Sequence, residues 1–128
     1  MSHLSRDLEF SEETDKVIGA AIEVHKYLGK GFFEKVYHQA LSLEMQERRI
    51  HFSHEHPFQI EYKGTVLTHY YIADFVVANR IIVEVKAKDA IDNGDLAQTL
   101  NYLKCADMRV GLILNFGAHS LEIRRVVR

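Results

Sequence analysis

The chain has 128 residues, 27% of them charged, a formal net charge of −2 and one cysteine. That length fits one domain, 1–128, whose core needs no cross-links. A lone Cys105 excludes an internal disulfide and points to a reducing compartment. The near-neutral balance argues against a protein that coats nucleic acid by bulk charge, but not against an enzyme with a local field at a cleft. No apolar run approaches the roughly 18 residues of a membrane span. The opening MSHLSRDLEF has no apolar signal core. The expected location is the cytoplasm, with residues 1–10 loosely ordered and a core over about 11–127.

In chain order, the first helix is expected from Ser11, an N-cap candidate followed by Glu12 and Glu13. Val17, Ile18, Ala21, Ile22, His25 and Leu28 form its stripe. Gly29 and Gly31 end it, and a second helix runs from about Phe33 to Arg49. Its apolar face is read as Phe33, Val36, Tyr37, Ala40, Leu41 and Met45. The period then drops to two. Phe58, Ile60 and Tyr62 alternate, Lys63-Gly64 turns, and Thr65 to Tyr71 returns. Two more strands follow, Ile72–Val77 and Ile81–Ala87, around a short Ala78-Asn79-Arg80 loop. A third helix spans about Asp95–Ala106, with Leu96, Leu100 and Leu103 inward. Val110–Phe116 is apolar on both faces and therefore interior. Leu121–Val127 closes the sheet at an edge. The predicted order is α-α-β-β-β-β-α-β-β, a mixed α/β (α+β) fold with a mixed central sheet flanked by helices.

The stretch IIVEVKAK is the anomaly, because Glu84 and Lys86 interrupt a buried strand. Alternation puts both on the face of Ile82. The preceding strand holds another acid, Asp74. A three-residue loop over 78–80 sets Asp74 directly across from Glu84, whereas a two-residue loop sets it across from Val85. Facing carboxylates have Cβ atoms about 4.5–5.5 Å apart. Ionised and partly dry, they repel unless a cation lies between them. Carboxylates completed by water and phosphate oxygens suit Mg²⁺. Lys86 reaches the same place, where it can orient water or neutralise a pentacovalent phosphorus. The pattern asks for phosphodiester hydrolysis by metal-activated water. The plain alternative is a buried lysine–acid ion pair, or two acids exposed at the end of a sheet.

The pattern Asp74 … Glu84-Val85-Lys86 resembles the PD-(D/E)XK nuclease superfamily, with Ala73 where that label has proline. Gly31-Phe32-Phe33-Glu34-Lys35-Val36-Tyr37 is similar to the motif of the GxxExxY proteins, a branch of it. The likeness extends through Gln98, Asn101 to Lys104, and Val110 to Gly117, covering about residues 11–127. It implies a restriction-endonuclease-like core and a nuclease using Mg²⁺, with Mn²⁺ as substitute, on DNA or RNA. Asp74 and Glu84 would hold the metal, Lys86 would assist the water, and Glu34 would be the extra helix-borne acid. Gln98 and Tyr102, four apart on one helix face, would hold the phosphate or brace Glu84 and Lys86. Tyr37 would support the site.

Without the resemblance, Glu34 reads as a surface acid favoured by the helix dipole, and Tyr37 as a core aromatic. Gln98 and Tyr102 then read as the rim of an amphipathic helix. His51, His54 and His56 gather before Pro57 with no cysteine and no further histidine at metal-site spacing, and read as a solvated strand edge. His25 and His38 receive no role. Two other functions remain open. One is a catalytically inactive nuclease-like fold that binds nucleic acid or protein. The other is service within a homodimer or larger assembly, which would supply the surface a 128-residue chain lacks.

Overall fold

The protein was analysed as a computed structural model, which describes residues 9–128. Most of the segment expected to be loosely ordered, residues 1–8, lies outside the described residues. Two helices lead, α1 (Ser11–Leu28) and α2 (Glu34–Glu47), followed by β1 (Phe52–Tyr62), β2 (Thr65–Val77), β3 (Ile81–Lys86), α3 (Asn93–Ala106), β4 (Val110–Asn115) and β5 (Glu122–Val127). The five strands form one sheet in sequential order. β3 and β4 run parallel through the α3 crossover, and every other pairing is antiparallel. The expected mixed α/β architecture is therefore present. The two segments read as separate strands, Thr65–Tyr71 and Ile72–Val77, are one continuous strand, β2. Nothing between Tyr71 and Ile72 breaks the chain, because β1 pairs with both.

Two faces of the sheet carry two cores. Val17, Ala20, Ala21 and Val24 of α1 and Tyr37, Leu41 and Met45 of α2 cover one face, over Phe75, Val83, Val85 and Leu112. Leu103 of α3 covers the other, with Val76, Ile82 and Ile113. The inward face of α2 differs from the apolar stripe in the sequence. The helix begins at Glu34, so Phe33 becomes its N-cap and stands 88% exposed, while His38 turns inward. α3 likewise turns Asp95, Thr99 and Leu103 inward and leaves Leu100 outside. Thr99 sits over Gly111, where an added Cβ would meet its Cγ2 at 2.9 Å. A branched or longer side chain in place of that glycine would hold helix and sheet apart. At the start of α1, Phe10 takes the cap position in place of Ser11, with no side-chain hydrogen bond.

Turn chemistry sets the registers. Lys63 and Gly64 both have positive φ, at 48° and 83°, and join Tyr62 to Thr65 in a two-residue hairpin. Between β2 and β3, Ala78, Asn79 and Arg80 form a three-residue loop, with Val77 opposite Ile81.

Candidate active site at the split between two strands

Pairing of β2 with β3 runs through Val77–Ile81, Val76–Ile82 and Phe75–Val83 and then stops. One row further, Asp74 faces Glu84. There the side chains replace the ladder. Asp74 N–H donates to Glu84 Oε2 at 2.8 Å, and Val85 N–H donates to Asp74 Oδ2 at 2.8 Å. The strands part at this point, and the two carboxylates occupy the gap.

Glu84 is 2% exposed. Burial, then the charge of Asp74, pushes its carboxyl up to about 8, against the pull of the Asp74 N–H and Lys86. Asp74 is raised too, chiefly by burial, and is drawn back by the Val85 N–H and by the charges of His38, Lys86 and His54. Among the described residues, no lysine or arginine nitrogen lies within ion-pair distance of either carboxylate. Ionising both acids at once so close together, with Glu84 out of water, is costly.

Lys86 lies one pleat beyond Glu84. Its Nζ donates to Gln98 Oε1 at 3.0 Å and stands 3.9 Å from Asp95 Oδ1. Asp95 is buried and also takes Lys88 Nζ at 2.9 Å, while Asp92 takes Lys88 at 2.8 Å. Asp92 and Asp95 form a capping box that starts α3 and so fixes the helix bearing Gln98. Tyr102, one turn after Gln98, has its hydroxyl raised by burial and then by the charges of Glu84 and Asp74, and its ring lies 5.2 Å from that of Tyr71. Gln98 and Tyr102 thus stand over the Glu84–Lys86 face.

The α2 side supplies the rest. Glu34 Oε1 lies 3.6 Å from His38 Nε2, and Asp74 Oδ2 lies 3.5 Å from the same nitrogen. These three donors fall within 4.8 Å of one another. His38 Nδ1 is 2.9 Å from His54 Nε2 on β1. A cleft of about 610 Å³ opens over Glu34, Lys35, His38, His54, Glu55 and Asp74. Tyr37 stands back from it. The ring is buried and stacked 4.7 Å from Phe116, its hydroxyl donates to Gly29 O at 2.7 Å, and it accepts from Phe32 N–H at 3.2 Å. It clamps the loop that leads into Glu34.

The sequence reading missed three of these side chains. His54 is not an isolated strand-edge histidine, because α2 brings His38 against it. The one signal for His38 was its place one turn after Glu34. Asp95 read as a helix start and is instead the buried partner of two lysines.

A family model described as the PD-(D/E)XK nuclease superfamily matches residues 11–126. The chain belongs to that superfamily, whose general chemistry is nucleic-acid cleavage, and the five-strand sheet flanked by helices fits a restriction-endonuclease-like core. A solved structure, that of SSO0001, is similar over 96% of this chain with a TM-score of 0.61 and 14% identity. The match spans 62% of that protein. No curated protein matches the chain. Among the described residues, no helix is long and apolar enough to cross a membrane.

Proposed function

We propose that this protein is a divalent-metal-dependent nuclease of the GxxExxY branch, cutting phosphodiester bonds in DNA. The reading rests on one observation: two acids, half-buried Asp74 and buried Glu84, meet where β2 and β3 part, with Lys86 on the same strand face. The donor set fits a hard cation, because oxygen ligands predominate and both carboxyls are held above their ordinary range, first by burial and for Glu84 next by the charge of Asp74. Asp74 and Glu84, with Glu34, would hold Mg²⁺ or Mn²⁺. A divalent cation supplies there the positive charge that acidifies water and neutralises phosphate oxygens. Lys86, aimed by Gln98, places its ammonium beside the phosphate and offsets the charge gathering on phosphorus. Tyr102 excludes water from the Glu84 side, and Tyr37 fixes the approach of Glu34. The cytoplasm is the location this chemistry and the single cysteine favour.

The test is cleavage of labelled single- and double-stranded DNA and RNA with Mg²⁺ or Mn²⁺. Wild type cuts, whereas Glu84→Gln and Lys86→Ala, folded by circular dichroism, do not. Undiminished cutting by both variants would overturn the assignment. A wild type that binds metal without cutting any substrate would leave the binding-module reading in its place.

A further inference from the structure

We propose that His38, His54 and Glu55 form a second cation site, separate from the Asp74–Glu84 pair, that takes Zn²⁺ or another cation favouring nitrogen donors. Successive residues of a regular strand point to opposite faces and cannot share a ligand. β1 departs from that regular geometry at Glu55. Glu55 has φ 54°, and the β1–β2 pairing skips it, between His54–Phe75 and His56–Ala73. The left-handed step brings Glu55 Oε1 to 3.9 Å from His54 Nε2. A non-glycine residue is strained in that left-handed conformation.

His38 arrives from α2, its Nδ1 2.9 Å from His54 Nε2, and the three donors lie within 4.8 Å of one another. Two unprotonated nitrogens do not approach to 2.9 Å, so a proton or a cation lies between them. Phe75 sets both rings: the His54 ring stacks on it at 4.6 Å, and the His38 ring lies 5.6 Å away. Zinc–nitrogen bonds of about 2.0–2.1 Å in tetrahedral array hold two ring nitrogens roughly 3.3 Å apart. The present spacing needs only a small opening.

The far side of His38 is prepared as well. A ring that ligates through Nδ1 carries its proton on Nε2, and that nitrogen faces Asp74 Oδ2 at 3.5 Å and Glu34 Oε1 at 3.6 Å. Carboxylates placed against the second ring nitrogen fix the tautomer and raise ligand basicity. Two imidazoles and one carboxylate select Zn²⁺ over Mg²⁺. His54 and Glu55 are exposed on the cleft, so the cation has a way in.

The experiment is calorimetric titration of metal-stripped full chain with Zn²⁺, paired with the visible spectrum of the Co²⁺ form. Wild type should bind one Zn²⁺ and show the absorption of tetrahedral Co²⁺. His54→Ala should lose at least tenfold in Zn²⁺ affinity and bleach the Co²⁺ band. Glu55→Gly should do the same while melting at or above the wild-type temperature, since glycine accepts the left-handed step. Glu84→Gln should keep both signals, which separates this site from the nuclease reading. Unchanged Zn²⁺ affinity in folded His54→Ala or Glu55→Gly overturns the proposal, as does loss of binding in Glu84→Gln.

Discussion

Asp74 and Glu84 each satisfy the other strand's backbone: Glu84 Oε2 accepts from the Asp74 N–H, and Asp74 Oδ2 accepts from the Val85 N–H, both at 2.8 Å. The two acids thereby take the place of a sheet ladder and hold the strands apart. They also hold the Glu84 oxygens out of water and leave Asp74 at the edge of the cleft. Acid placement and strand separation are one structural feature.

The first expectation concerns pH in the absence of divalent cations. The Glu84 carboxyl sits near 8 in the folded chain, against 4.5 for the ordinary group. Between those values the native state holds a proton that the unfolded chain has released. Stability is therefore highest below about pH 4.5 for this group and falls as pH rises through about 8. Thermal melts in chelator at pH 5.5 and 8 should show the drop, and Glu84→Gln should flatten it. A melting temperature for wild type that climbs over this range would contradict the buried-acid account.

Removing one carboxylate should abolish cutting without unfolding the chain. Asp74→Asn and Glu84→Gln keep an oxygen for the backbone N–H groups, so the split between the strands persists. Cleavage should fall on the order of 100-fold or more. Mg²⁺ or Mn²⁺ affinity should fall with it, read by calorimetry on the same preparations.

Gln98→Leu tests the aim of Lys86. With its 3.0 Å acceptor gone, the ammonium turns toward Asp95, 3.9 Å away. Turnover should drop about tenfold, as for other residues that orient a reacting group. Melting temperature and KM should stay near wild type. A KM change alone would place Gln98 in substrate binding instead.

Tyr37→Phe removes the hydroxyl that joins Gly29 O to Phe32 N–H and leaves the Phe116 stack in place. The cost should be about 1 kcal/mol in denaturant unfolding. Hydrogen exchange should quicken at the Phe32 amide, the N–H that loses its acceptor.

Asn115→Ala should destabilise more, because this buried side chain accepts from Lys88 and Gly117 N–H and donates to Lys88 O and Glu122 Oε1. Each buried backbone group left without its partner costs about 1–3 kcal/mol. Unfolding midpoints should fall accordingly. The chain after β3 loosens, so activity should decline in step with stability.

Much of the fold and part of the candidate site follow from local pattern alone. The switch from a helical period to a period of two, the Lys63-Gly64 turn and the doubly apolar β4 are short-range signals, and each element they mark is present. The sequence left the loop between β2 and β3 at two or three residues; the three-residue loop of the structure pairs Asp74 with Glu84, because strand registry is arithmetic once the turn is known. Local pattern could not tell which helix face would be covered. Docking turned His38 inward in place of Phe33 and Val36, and Asp95 and Thr99 in place of Leu100, because packing against the sheet outweighs the hydrophobic stripe by itself. Nor could it join His38 to His54, sixteen residues apart on different elements, or give Glu55 the conformation that turns its side chain toward them. Such convergence depends on distances between elements, and only the packed chain sets those.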